Sequence, residues 1–226
     1  MNHHRMIATL GATVGALTLA FTPALAKAAS PSLQVGGGYT AVAFSGTALS
    51  PITGTVPGYG TVTCTSLSAA GSIYPATTAP TTWADINSFS VACPSLIPGT
   101  TTAISVGSCG NIGLQNAAGT VTAPVTDNPI AGNVDFGTAS CPKVHVNYAG
   151  FCSFDLYTST TGTAPTYALD ENVRPDGTQL LTIDGDLTIG NRSGLLCTST
   201  YVNGKNITFH VPLAIKTSSG GLINFL

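Results

Sequence analysis

Six cysteines, two late histidines and one acidic stretch are the residues of this chain whose types and spacing suit chemistry. Cys64, Cys93, Cys109, Cys141, Cys152 and Cys197 contain no Cys-x-x-Cys pair, so the usual redox and zinc-ribbon signatures are missing. Three disulfides are the expected use, in any of 15 connectivities that sequence leaves open. Parity still constrains them. Three cysteines precede the segment Pro124 to Pro129 and three follow it, so complete internal pairing requires an odd number of bridges between the two halves. Each bridge closing a loop of tens of residues is expected to stabilise by about 2 to 4 kcal/mol.

His145 and His210 each stand beside valine on the more polar side of a strand pattern, which reads as surface histidine. A Ser-His-Asp grouping built in space from either of them would leave no signature. The Gly-x-Ser-x-Gly elbow and the His-Glu-x-x-His zinc motif are both absent. Asp170, Glu171, Asp176, Asp184 and Asp186 hold most of the acidity beyond the first 26 residues. Oxygen-rich loops of this kind can bind calcium, but EF-hand spacing is lacking and Asp176-Gly177 and Asp184-Gly185 are equally good turn dipeptides. Gly36-Gly37-Gly38 lacks the spacing and the following helix of a dinucleotide fingerprint. Trp83, the single tryptophan, is expected to plug the core rather than stack on a sugar or lipid. The sequons at Asn191-Arg192-Ser193 and Asn206-Ile207-Thr208 matter only in a cell that glycosylates. No catalytic residue, metal site or cofactor is expected, and the chain reads as a non-enzyme.

The body that carries these residues is short of charge. Asp, Glu, Lys and Arg make up 7% of the 226 residues, against about 25% in an ordinary globular domain, so Thr, Ser, Asn and Gly must build the surface. Lys143, Arg174, Arg192, Lys205 and Lys216 are scattered singly, and nucleic-acid binding lacks its electrostatic footprint. A neutral hydroxyl-rich surface favours adhesion to uncharged polymer of an envelope or matrix, or self-association. Residues 1–26 read as a secretory leader, with Arg5, an apolar run from Met6 to Phe21, Pro23 and the small-x-small end Ala24-Leu25-Ala26. An uncleaved anchor is the rival reading. No second segment is long and apolar enough to span a membrane as a helix. Export to an oxidising, secreted or cell-surface location follows from the leader and the cysteines together.

Glu171 is the one glutamate, while Thr, Val and Ile abound, so the chain over 27–226 is expected to be all-β. Apolar or alternating runs lie at Leu33 to Leu49, Thr61 to Tyr74, Ile86 to Cys93, Thr102 to Cys109, Gly119 to Val125, Lys143 to Tyr148 and Phe151 to Tyr157. Further runs lie at Gln179 to Ile183, Leu187 to Gly190, Leu195 to Val202, Ile207 to Lys216 and Leu222 to Leu226. Many short strands punctuated by Pro and Gly predict a disulfide-stapled β-sandwich, one domain whose two cross-linked halves meet near 124–131. Asn203-Gly204 predicts a two-residue hairpin pairing Val202 with Lys205, Thr200 with Ile207, Thr198 with Phe209 and Leu196 with Val211, that apolar face turned inward. The tail Leu222, Ile223, Phe225 and Leu226 reads as a closing core strand, or alternatively as a self-association strand that adds to another copy's sheet.

Ala43-Phe44-Ser45-Gly46-Thr47, Val62-Thr63-Cys64-Thr65 and Ile86 to Cys93 together make the chain resemble the secreted PraB-type proteins, called alkane oxidation activators. The resemblance covers mainly Tyr39 to Cys109, with a weaker echo around Leu195 to Ile215. It implies an exported, non-enzymatic protein associated with growth on hydrocarbons or with the cell surface. The expected function is therefore an extracellular structural or adhesive role. The alternative is a carrier for a small apolar ligand held between the sheets by residues such as Phe44, Phe89 and Phe209.

Overall fold

A computed structural model of the chain describes residues 32–56, 60–78, 80–94, 101–116, 128–148, 151–195, 197 and 202–226. The expected leader, the run Gly119 to Val125 and most of Leu195 to Val202 lie outside the described residues. Among those described there is no helix and there are seventeen strands, as the scarcity of straight-chain residues and the wealth of β-branched ones dictate. They are β1 (Leu33–Val35), β2 (Val42–Ala48), β3 (Ile52–Val56), β4 (Gly60–Cys64), β5 (Ser66–Ile73), β6 (Thr82–Pro94), β7 (Thr101–Val106), β8 (Ile112–Asn116) and β9 (Ile130–Asp135). The rest are β10 (Gly137–Thr138), β11 (Cys141–Pro142), β12 (Val144–Tyr148), β13 (Cys152–Thr158), β14 (Thr166–Asp170), β15 (Gln179–Ser193), β16 (Asn206–Thr217) and β17 (Ile223–Phe225).

Thirteen strands form one antiparallel sheet that closes on itself twice. An upper circuit runs β15–β16–β2–β5–β6–β8–β9–β14 and back to β15, hydrogen-bonded at every step. A lower circuit uses the other ends of the long strands. There β16 pairs with β3 and β3 with β4, while β6 leads through β7, β12 and β13 back to β15. The step from β4 to β6 is made by the Cys64–Cys93 disulfide and by the Thr65 N–H donating to the Ala92 carbonyl at 2.8 Å. Opposite walls of the closed sheet pack face to face across the core, as in a sandwich. In each circuit the strands before the Pro124 to Pro129 segment form one arc and those after it the other, so both halves build one core.

The six cysteines pair as Cys64–Cys93, Cys109–Cys141 and Cys152–Cys197, with none free. One bridge, Cys109–Cys141, joins the halves, satisfying the parity argument. Separations of 29, 32 and 45 residues give each about 3.5 to 4 kcal/mol of loop-closure stabilisation.

The hairpin around Asn203-Gly204 needs a correction. The turn is present, with the Lys205 N–H on the Val202 carbonyl and Gly204 at φ 84°. Beyond it β16 pairs with β15 instead, Ile207 opposite Leu187, Phe209 opposite Gly185 and Val211 opposite Ile183. Ten cross-strand pairs with β15 outweigh the few a local hairpin offers, and the Cys152–Cys197 bridge ties Cys197 to β13. The inward face of β16 is nonetheless the apolar one. The runs Gln179 to Ile183 and Leu187 to Gly190 are also one continuous strand, β15, because Gly185 at φ 143° lies against Pro165 without interrupting the ladder.

Gly71 sits at a register shift between β5 and β6, where a Cβ would meet the Asp85 carbonyl at 1.8 Å and the Phe44 ring at 2.6 Å. A single methyl must therefore part the two strands or expel Phe44. Gly71→Ala is expected to destabilise the fold by at least about 2 kcal/mol, read as a lower midpoint in urea unfolding of the oxidised protein.

Candidate functional site

The two circuits enclose different interiors. In the upper one, Trp83, Tyr167, Leu114, Leu169 and Leu181 are all at most 2% exposed, and β1 and β17 insert Leu33, Ile223 and Phe225 among them. Trp83 meets Tyr167 and Phe225 edge-on at ring-centroid distances of 5.6 and 5.7 Å. Its Nε1–H donates to Tyr167 Oη at 2.8 Å, Tyr167 Oη–H donates to Asn116 Oδ1 at 3.1 Å, and Asn116 Nδ2 donates to the Pro80 carbonyl at 2.9 Å. Each buried polar group in this chain has a partner, which removes the cost of taking it from water. Burial raises the Tyr167 hydroxyl pKa well above its ordinary value, so it stays a donor. Trp83 is thus the core plug that its sequence context suggests.

The lower circuit is hollow. It surrounds a cavity of about 370 Å³ to which all of its strands contribute. Val144, Val146 and Tyr148 come from β12, Phe154 and Leu156 from β13, Ile207, Phe209 and Val211 from β16, and Phe89 and Val91 from β6. Ile52, Val62 and Cys64 line the side of the β3–β4 hairpin. Val62, Leu67, Phe89, Val91, Ile104, Ile207 and Phe209 face this space and remain only partly buried. Empty volume forfeits dispersion contacts, and a half-open space with so apolar a lining takes up apolar molecules more readily than water. Of the three phenylalanines expected to line such a site, Phe89 and Phe209 do so. Phe44 does not: its ring packs at Gly71 in the upper core.

Phe136 forms part of the cavity's roof and meets Phe209 edge-on at 5.6 Å. It is held from both sides. Its N–H donates to Thr158 Oγ1 at 3.1 Å, and its carbonyl accepts the Lys143 N–H at 3.0 Å. Lys143 Nζ also pairs with Asp135 Oδ2 at 2.8 Å. Burial alone would raise the Asp135 pKa, but the Lys143 ammonium and the Gly137 N–H together hold it below the ordinary carboxylate value. This ion pair ties the Asp135–Lys143 hairpin together beneath the roof.

The histidines lie on the outer surface of the sheet. His145 Nδ1 is 2.7 Å from Asp155 Oδ1, and Asn191 Nδ2 donates to Asp155 Oδ2 at 2.8 Å. Ser105, His145 and Asp155 are cross-strand neighbours on β7, β12 and β13, the order of a hydrolase triad. No hydrogen bond joins Ser105 to His145 among the described residues, and the row lies on the opposite face from the cavity. His210 pairs likewise with Asp184.

The acidic stretch is dispersed. Asp170 accepts from Asn128 and the Asn172 N–H, Asp176 closes a turn onto Thr178, and Asp186 accepts from the Thr163 N–H and Thr208. Among the described residues no group of three or more His, Cys, Asp or Glu could hold a metal ion. Asn206 of the second sequon is half-buried and bound to Ser159, Thr188 and Thr161, whereas Asn191 of the first is exposed.

The tail is a strand of the upper core. Its β17 pairs with β1, and its other edge is met by side chains: Gln179 receives the Ile223 N–H and donates to the Ile223 carbonyl, and Glu171 receives the Phe225 N–H. Burial raises the Glu171 pKa, against the lowering effect of that N–H. Ile223 and Phe225 are buried, Leu222 is half-buried and Leu226 is exposed. No family model matches the chain, and no curated protein or solved structure matches it either.

Because the polar chain and the cavity belong to different circuits, they can be perturbed separately. Tyr167→Phe leaves the Trp83 indole N–H and Asn116 without their partner and is expected to destabilise by about 1 to 3 kcal/mol. Uptake of an apolar probe by the lower circuit is expected to stay as in the wild type, measured by fluorescence titration well below the melting transition.

Proposed function

We propose that this chain is an exported, non-catalytic binding protein that shelters a small apolar molecule inside its lower circuit. The observation that carries the reading is the apolar cavity of about 370 Å³ ringed by strands, within the range of about 300 to 1,000 Å³ usual for small-molecule sites. Three disulfides support an oxidising, extracellular setting. A neutral fluorescent polyene such as diphenylhexatriene is expected to gain emission when titrated with the oxidised protein. Ile104→Trp, which fills part of the space, is expected to weaken uptake at least about tenfold while the urea midpoint holds. No emission gain, or equal uptake by the filled variant, counts against the reading.

A surface or adhesive role has its own support. On the outer face of β2, β5 and β6, Thr47, Ser68 and Ser90 stand directly opposite one another, with Ser45 and Ser88 in the next row, all exposed and uncharged. Adjacent strands put such hydroxyls about 4.8 Å apart, a hydroxyl array bordered by Lys216 and suited to an uncharged polymer of an envelope or matrix. Ser68→Arg combined with Ser90→Arg is expected to abolish retention on polysaccharide supports without changing probe uptake. Unaltered retention would remove this face from the account.

A further inference from the structure

Resting on the cavity reading above, we infer that the lower circuit selects uncharged, chain-like apolar molecules and rejects ionised amphiphiles of the same length. Every described residue lining the cavity is apolar, a glycine, a cysteine, a threonine or Tyr148; no Lys, Arg, His, Asp or Glu is among these. None of the five described Lys and Arg residues is in that lining. Lys143 pairs with Asp135, Arg174 lies 3.9 Å from Asp176, and Lys216 stands on the outer face opposite Ser45. His145 and His210 are outside as well, each on a carboxylate. A carboxylate or ammonium carried into the lumen meets no counter-charge, and burying an unpaired charge is far costlier than burying a methylene.

Shape narrows the class further. Along β16 the lining extends from Ile207 through Phe209 and Val211 to Leu213, about 20 Å of strand. A volume of about 370 Å³ drawn out over that length is narrow and holds on the order of a dozen methylene-sized groups, taking about 30 Å³ for each. Such a lumen suits a single flexible chain better than a fused ring system.

The test is competition against bound diphenylhexatriene with the oxidised wild-type protein at neutral pH, using dodecane, dodecanol, dodecanoate and dodecylammonium, each below its micelle concentration. Dodecane and dodecanol are expected to displace the probe, and both ions to compete at least about tenfold more weakly. Competition by either ion equal to that of dodecanol, as when a charged head remains in solvent while its tail enters, overturns this inference and leaves the cavity reading standing. Absence of probe uptake in the first place overturns both.

Discussion

Two strands are too long for a single set of neighbours, and that constraint shapes everything else. The fifteen residues of β15 and the thirteen of β6 present more backbone groups than any one adjacent strand can satisfy, and buried N–H and C=O groups left unpaired are expensive. Along one edge of β15 the ladder is shared between β14 and β13, and along one edge of β6 between β8 and β7. The sheet therefore forks at both strands. Two enclosed spaces, stacked end to end, result from one continuous antiparallel sheet.

What fills each space follows from the chain's ends and its aromatic residues. The upper space receives two strands from the ends of the described chain, along with the one tryptophan, and packs to a solid core. Among the described residues the lower space receives no such insert and is walled largely by Val, Ile and Leu. Every cysteine lies in or beside a strand of the hollow circuit: Cys64 ends β4, Cys93 is in β6, Cys109 follows β7, Cys141 precedes β12, Cys152 begins β13 and Cys197 follows β15. Covalent closure is concentrated where packing is thinnest. In a protein with few ion pairs, that division of labour offsets the stability an unfilled interior forgoes.

Much of this was legible in the residues, and the failures have physical causes. The all-β character followed from β-branched abundance, and the inward face of Ile207, Phe209 and Val211 followed from alternation. β8 and β9 are hidden in the sequence because Gly113, Asn116, Gly132 and Asn133 look like loop residues, yet Gly132 is required there by the Tyr167 ring packed against it. The hairpin register was misassigned because Asn203-Gly204 is a strong local signal, whereas β15 competes from a distance with a longer ladder. The cavity is not legible in the residues: side-chain type alone places Phe44 in it, but which of several inward phenylalanines faces empty space depends on closure of the sheet, a non-local property. The aspartates looked like a cluster because they are close in sequence, but alternation and turns send them to different hydrogen bonds.

The small hooks offered by Gln179 and Glu171 to the last strand have a consequence for how molecules of this protein meet. A terminal strand with bare amides is the usual template for fibrillar stacking. Here the one side of β17 that lacks a neighbouring strand has the Ile223 N–H and carbonyl and the Phe225 N–H already occupied by an amide and a carboxylate from the same chain. A second copy approaching that side would have to displace Gln179 and Glu171 before its own backbone could pair there.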